Sequence, residues 1–318
     1  MGKAGEPANN AISKHECVVC NLCGRNDYRI KYKPSTNSDE IEMPHYLASV
    51  DRYGNYGQIV KCNACGLVYT NPRPQIAVIS QVYGDVVDKE YGEEGSGRSI
   101  NAIFCLDKIK KFKSSGRLLD IGCATGYFLN AARLNYDVHG VELSKWAVEY
   151  AKNNLKLSVD CGNLLQMHYD EDSFDVITMI DFIEHVSDPK EILREVYRIL
   201  KKDGIVYIVT PSIKSLSASV FRSKWWGLRA AHIYYFSPRT LKKMLYETGF
   251  EARFMQSFGR IFTLNYWLSR LVNYNKLIYG IFSALINKTR TGQKLVYINT
   301  LDSIEILAAK APYKKNMP

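Results

Sequence analysis

Arg117-Leu118-Leu119-Asp120-Ile121-Gly122-Cys123-Ala124-Thr125-Gly126 decides how this chain folds. An apolar strand, 117–121, runs into a turn bracketed by glycines, and residues 127–134 continue as a helix. The alternation repeats downstream: strand 138–142, helix 145–153, strand 174–180, helix 189–200, then strand 205–210 after Lys202-Asp203-Gly204. Such an order predicts an α/β fold, a Rossmann-like parallel sheet with right-handed crossovers and helices on both faces. Ligands of these sheets bind beyond the carboxyl ends of the strands, where the glycine turn falls.

The chemistry of that turn selects the cofactor. Glu142 ends the next strand, and a carboxylate there accepts hydrogen bonds from both hydroxyls of a ribose, as nicotinamide and methionine-derived cofactors both require. The loop reads G-x-A-x-G instead of G-x-G-x-x-G, and Asp120 stands in the approach to it. A pyrophosphate wants N–H groups at a helix start and no carboxylate beside it. A sulfonium cofactor with a free amino group gains from one. S-adenosylmethionine is therefore expected.

With Tyr127-Phe128-Leu129 added, the same stretch resembles the first motif of the class I S-adenosylmethionine-dependent methyltransferases. Val141-Glu142-Leu143-Ser144, Phe174-Asp175-Val176-Ile177 and Leu200-Lys201-Lys202-Asp203-Gly204 resemble the later motifs, so the likeness runs over nearly all of residues 116–310. It implies that Asp120, Gly122, Cys123, Ala124, Gly126, Tyr127, Glu142, Leu143, Asn163, Leu164 and Asp181 hold the cofactor. Ala124 stands where many members carry glycine. Asn163 stands where the family has an aspartate for the adenine amino group; its amide oxygen can accept the same bond, or the residue simply makes a turn.

Methyl transfer mainly needs alignment of two reactants, and an alcohol acceptor must also lose a proton. Asp181-Phe182-Ile183-Glu184-His185 follows the fourth strand, and a helical turn there would place Asp181 and Glu184 on one face beside His185. The stretch resembles a D/E-x-x-E-H segment of ubiquinone-pathway O-methyltransferases and small-RNA 2′-O-methyltransferases, which can carry a divalent cation. Three readings stand. His185, with Glu184 and His232, serves as base or positioning group; Asp181, Glu184, His185 and His232 hold Mg²⁺; or the turn is structural and Asp181 touches the cofactor. Trp225-Trp226-Gly227 and the aromatic run to Phe236 suit a sugar ring, an apolar acceptor or core packing. Arg222, Lys224 and Arg229 suit a phosphate.

Of eight cysteines, Cys105, Cys123 and Cys161 read as small core residues. Cys20-Asn21-Leu22-Cys23-Gly24 and Cys62-Asn63-Ala64-Cys65-Gly66 are near-copies whose two-residue spacing turns paired thiolates toward one ion. Cys20, Cys23, Cys62 and Cys65 are expected to form a closed, structural zinc ribbon, with Cys17 left out. The resemblance extends through these pairs to methyltransferases with a ribbon ahead of the enzyme domain, many of them in polysaccharide biosynthesis.

The expected organisation is a disordered tail (1–15), the ribbon (16–75), a helical linker or cap (76–115) with a mobile glycine-rich loop at 91–97, the methyltransferase domain (116–310) and a tail (311–318). Within the domain, 259–295 is expected as a helical insert, with Leu264, Trp267, Leu268, Leu271, Tyr274, Leu277, Ile278 and Ile281 on its apolar face. A buried lid is its default reading, and pairing with another chain or lying on a membrane surface are the others.

Lys and Arg number 42 against 32 acidic residues, a formal charge of +10, which favours an anionic partner or marks a solvated surface. With no apolar run of about 18 residues and no secretion-type leader in residues 1–14, the expectation is a cytoplasmic protein, with a membrane-peripheral variant. The expected function is O-methylation of a sugar, nucleotide-sugar or similar intermediate. An RNA methyltransferase is the second enzyme reading, though the ribbon lacks a basic stretch interleaved with aromatics. A zinc-ribbon scaffold with a vestigial cofactor fold is the non-enzyme reading.

Overall fold

The computed structural model describes residues 15–35, 54–85, 87, 95–270, 272 and 276–311. Residues 1–14 and 312–318, residues 36–53 of the insert between the cysteine pairs, the Tyr91 end of the glycine-rich loop, and Leu271 and Tyr274 lie outside them. The N-terminal part holds β1 (His15–Glu16), β2 (Tyr28–Tyr32), β3 (Ile59–Cys62), β4 (Val68–Thr70) and β5 (Arg73–Pro74), then α1 (Ile76–Gly84) and α2 (Gly95–Ile109). Alternation begins with β6 (Gly116–Ile121), α3 (Tyr127–Ala132), β7 (Tyr136–Glu142), α4 (Lys145–Leu155), β8 (Val159–Cys161), β9 (Phe174–Ile180), α5 (Pro189–Ile199) and β10 (Leu200–Pro211). The C-terminal part adds α6 (Leu216–Phe221), β11 (Tyr234–Tyr235), α7 (Pro238–Glu247), β12 (Phe250–Ser257), β13 (Arg260–Thr263), α8 (Leu264–Ser269), α9 (Lys276–Thr289), β14 (Leu295–Ile298) and β15 (Ser303–Lys310).

Seven strands form the central sheet in the order β12-β15-β10-β9-β6-β7-β8. The run from β10 to β8 is parallel, and β15 lies antiparallel between β10 and β12. Successive side chains of a strand point to opposite faces, so a strand covered on both sides is apolar throughout. In β6, Leu119 and Ile121 join the core that holds α5, whereas Leu118 joins the one holding Leu129 and Val148. Helix α5 shows the complementary pattern: Ile192, Leu193, Val196 and Ile199 are buried at helical spacing, Asp188 caps the start by accepting from Glu191 N, and Pro189 opens the first turn.

The α/β sheet is as the sequence indicates, and three local readings need correction. The segment at 259–295 is not simply helical: β13 pairs antiparallel with β14, and α8 and α9 rise from this hairpin. A buried lid is also wrong for α9, where Leu277 is 74% and Ile281 62% exposed. Cys161 is exposed instead of core, because it ends the edge strand β8.

The N-terminal strands are joined to the rest. β2, β3 and β4 make a sheet whose fourth member is β11, with Tyr234 opposite Tyr69. The two tyrosine rings stack at 6.3 Å. Among the described residues, no helix is long and apolar enough to cross a membrane.

Candidate active site

The turn after β6 is held by the strand beside it. Gly122 N donates to Val141 O (2.8 Å) and Gly126 N to Cys123 O (2.9 Å). Gly122 has φ +72°, and a Cβ there would come 2.5 Å from Cδ2 of Phe182, so both backbone angle and space demand glycine. Ala124 adopts φ +47°, a left-handed conformation that costs an L-residue about 1 kcal/mol.

Glu142 reaches back to this turn. Its Oε2 accepts from Ala124 N (3.0 Å) and its Oε1 from Ser144 N (2.8 Å), leaving each oxygen a further lone pair. Asp120 is 3% exposed and accepts from Thr178 Oγ1 at 2.6 Å. Burial, partly offset by that hydroxyl and reinforced by the charge of Glu142, pushes Asp120 up to about 7. Thr125 Oγ1 is buried with no protein partner among the described residues. Asn163 is already engaged: Oδ1 accepts from Leu165 N (3.1 Å) and caps the short 3₁₀ turn Leu164–Gln166. The turn reading of Asn163 thus describes its present contact, with one lone pair of the oxygen left over.

These groups open onto one cavity of about 910 Å³, lined by every sequence-predicted cofactor residue except Gly126, and by Glu184, His185 and His232. A buried carboxylate facing a site wants a cation, a carboxylate at the second strand end can take two hydroxyls, and the glycine turn admits close approach. That donor set fits S-adenosylmethionine.

The acceptor side of the cavity departs from expectation. Asp181 has φ +53°, so no right-handed helical turn starts there and Asp181 does not join Glu184. It accepts two bonds from Arg260 Nη2 instead (2.7 and 2.8 Å); although burial opposes the charge, this carboxylate holds the Arg260 guanidinium above its ordinary range. The expected four-group Mg²⁺ set is therefore not assembled. Glu184, His185 and His232 do gather, with ligand atoms within 4.8 Å of one another, but two imidazoles and one carboxylate make a poor site for a cation that prefers oxygen.

His185 Nδ1 lies 2.9 Å from Ala231 O and 2.7 Å from Tyr83 Oη. A carbonyl only accepts, so the proton belongs on Nδ1 and the lone pair on Nε2. His232 is set the same way by Gly227 O at 2.8 Å. The rings meet edge to face at 4.7 Å. Burial, with Arg229 nearby, brings His185 down to about 4 despite its bond to Ala231. Glu184 is 1% exposed, its Oε2 accepts from Thr210 Oγ1 (2.9 Å), and Oε1 has no hydrogen-bond partner among the described residues. Burial, then the charge of Asp181, raises it to about 8. The histidines and the acid are thus all neutral near pH 7.

Around them stand Trp226, whose Nε1 donates to Asp302 Oδ2 (2.6 Å), Arg229, and the aromatic residues Phe262, Tyr266 and Trp267. Trp225, by contrast, is fully buried core, and Arg222 and Lys224 are exposed away from the lining. Sequence reasoning missed Arg260, Asp302 and the contact of Tyr83 with His185, all made across more than 75 residues of chain with no spacing to mark them.

Cys20, Cys23, Cys62 and Cys65 converge on one point, their Sγ atoms within 4.8 Å of one another, and exposed Cys17 lies outside the group. Cys20–Cys65 is 3.4 Å and Cys23–Cys62 3.5 Å, near the edge of about 3.8 Å that four sulfurs make around zinc at ~2.3 Å. Gly24 and Gly66, at φ +72° and +82°, turn back so that their N–H groups donate to Cys20 O and Cys62 O. Burial opposes the Cys62 thiolate, yet N–H groups of Cys65 and Ala64 and the neighbouring sulfurs bring it down to about 7. The set fits structural zinc.

Residues 98–253 match the family model of a methyltransferase domain. The chain is 37% identical over 111 residues to a ubiquinone biosynthesis O-methyltransferase of Pelagibacter ubique, covering 33% of this chain and 45% of that protein. It is 28% identical over 116 residues to ajmaline N-methyltransferase of Rauvolfia serpentina (34% and 40%) and 32% over 105 residues to 24-methylenesterol C-methyltransferase 2 of Arabidopsis thaliana (30% and 29%). The match spans less than half the length of each. A solved S-adenosylmethionine-dependent methyltransferase from Archaeoglobus fulgidus superposes with a TM-score of 0.47 at 20% identity, covering 70% of this chain and 100% of that one. The chain carries a SAM-dependent methyltransferase domain.

Proposed function

We propose that this domain transfers the methyl group of S-adenosylmethionine to a hydroxyl of a small anionic intermediate, such as a sugar or nucleotide-sugar, and that the four N-terminal cysteines hold a structural zinc. The observation that carries the reading is the fixed tautomer of His185, whose Nε2 lone pair shares a cavity with the glycine turn. Bound S-adenosylmethionine supplies an electrophilic methyl on a sulfonium, displaced in line by a nucleophile. Asp120 would receive its amino group, Glu142 its ribose hydroxyls, and the backbone of the glycine turn its body.

The rest is alignment and proton removal. As an acceptor hydroxyl took that methyl, its proton would pass to the lone pair of His185 Nε2. Ala231 O and Tyr83 keep the ring turned, and Glu184, once ionised, would stabilise the imidazolium 3.9 Å away. Arg229 and the aromatic wall suit an acceptor with an anionic group and a flat or apolar body.

The test is a panel of nucleotide-sugars and hydroxylated small molecules with labelled cofactor, run beside His185→Ala. Turnover on a hydroxyl acceptor that falls about 10²-fold or more in the variant, with unchanged affinity for the demethylated cofactor, supports the reading. Undiminished turnover removes His185 from the chemistry, and methylation of nitrogen acceptors alone overturns O-transfer.

A further inference from the structure

Between Glu251 and Asp302 the chain has no acidic residue; of its cations there, Arg253 pairs with Glu251 and Arg260 with Asp181, while Arg270, Lys276, Lys288, Arg290 and Lys294 add five more positive charges. In an unbroken run of this length such imbalance concentrates positive potential on the β13–β14 hairpin and its helices. Helix α9 carries an outward apolar stripe on that lobe: Leu277, Ile281 and Leu285 are 74%, 62% and 54% exposed. They recur every four residues, so they lie along one side of the helix. Lys276, Lys288 and Arg290, all exposed, flank the stripe.

A second helix, far away in sequence, repeats the arrangement. In α6, Leu216 and Val220 are 68% and 63% exposed, and Arg222 and Lys224 follow directly as exposed cations. Both helices also help to wall the cavity, α6 through Ser217 and Phe221, α9 through Phe282 and Ile286. Phe282 and Ile286 sit one position beyond Ile281 and Leu285, about 100° around the helix. Apolar surface therefore continues from solvent to the cavity wall.

We infer that this basic, acid-free lobe docks on an anionic lipid bilayer, with the apolar stripe of α9 and the tip of α6 entering the headgroup region. An amphipathic helix with cations beside its apolar face lies in a membrane interface by adding apolar burial to attraction for anionic lipid. A protein partner would match the apolar stripe equally well, but a face with no carboxylate of its own over fifty residues is complementary to a uniformly negative surface. Docking does not depend on which acceptor the cavity takes, since vesicle binding requires neither cofactor nor acceptor.

The full chain is sedimented with vesicles of phosphatidylglycerol mixed with phosphatidylcholine, and with vesicles of phosphatidylcholine alone, at low and high salt. Binding to the mixed vesicles at least about tenfold tighter than to neutral ones, weakened by salt, is expected, because each basic side chain near an anionic surface strengthens binding several-fold. Leu277→Glu with Ile281→Glu should lower it by about tenfold or more, with melting temperature and binding of the demethylated cofactor retained. Lys288→Glu with Arg290→Glu reads the charge separately and should flatten the salt dependence. Absence of binding to mixed vesicles overturns the inference, as does binding that both double variants leave unchanged. A dimer that the apolar variant converts to monomer, without vesicle binding in either form, assigns the face to a second copy of the chain and also overturns it.

Discussion

A carboxylate 3% exposed beside a neutral hydroxyl has little reason to ionise until a cation arrives. Asp120, raised to about 7 by burial, should therefore bind the cofactor's ammonium more tightly as pH rises through that value. Calorimetric titration from pH 5.5 to 8.5 should show affinity climbing, and Asp120→Asn should bind weakly with no slope. A slope kept by the variant would move the ammonium elsewhere. The same burial shapes stability. Glu184 rises from 4.5 to about 8 and Asp120 from 3.8 to about 7, so the folded protein holds extra protons and loses stability as pH climbs through those ranges. His185 falls from 6.5 to about 4, and His232 also falls; each therefore costs stability as pH drops below 6.5. The histidine effect opposes the carboxyl effect below 6.5, leaving a net loss between about 6.5 and 8. Glu184→Gln should reduce that loss in melts across the window, and a parallel wild-type curve would refute the assignment. Asp120 and Glu142 could be read from sequence because Glu142 ends, and Asp120 comes one residue before the end of, a strand whose pattern is local. The ionic partner of Asp181 could not, since Arg260 lies 79 residues away on a strand of four residues.

Helix α5 shows how a single cap can serve two parts of the fold. Asp188 Oδ1 accepts from Glu191 N (2.9 Å) and from Asn21 Nδ2 (2.9 Å), the latter between the first pair of cysteines. Lys190 Nζ donates to Leu22 O (2.9 Å) from the first turn of the same helix. Asp188→Ala should cost about 1 kcal/mol as a lost N-cap, and the Asn21 amide would lose its acceptor as well. Asn21→Ala, which keeps the cap, should cost less; equal losses in chemical denaturation would place the whole effect at the cysteine turn. The helix itself was legible, as an apolar repeat beginning at Pro189. The second partner of its cap was not, because side-chain bonds between distant elements leave no periodic trace. The hairpin of β13 and β14 escaped for a related reason: short strands beside long apolar helices are outweighed by the helical repeat. In α9 that repeat signals apolarity but not which side faces the protein, and Leu277 and Ile281 prove to face solvent.

At the scale of the molecule, the cysteine module and the sheet share one core instead of meeting as separate domains. Cys20, Leu22, Cys62 and Tyr69 pack in the same cluster as Ile177, Met179 and the apolar face of α5. β4 pairs with β11, and the bond from Ile233 N to Glu184 O ties the approach to β11 to the acid beside His185. Arg73, at the end of the module, donates to Glu16 Oε1 (2.9 Å), to Ser187 O and to Tyr234 Oη. Loss of the proposed zinc should then act well beyond the ribbon. Removing it would leave four thiols, all of which lie in or against the core, with no ion to draw them together, and apparent zinc affinities in small fingers reach about 10–16 kcal/mol. Chelation, or Cys62→Ala, is expected to lower the melting temperature of the whole chain in one cooperative transition and to broaden the His185 and His232 ring resonances by NMR. If the module were an independent attachment, chelation would instead melt a small separate transition and leave the sheet, the histidine resonances and binding of the demethylated cofactor untouched. One further contact decides between the two: Thr70 N donates to Ile233 O (2.8 Å), so unwinding β4 must release the backbone one residue from His232, and the cavity cannot keep its shape while the ribbon unfolds.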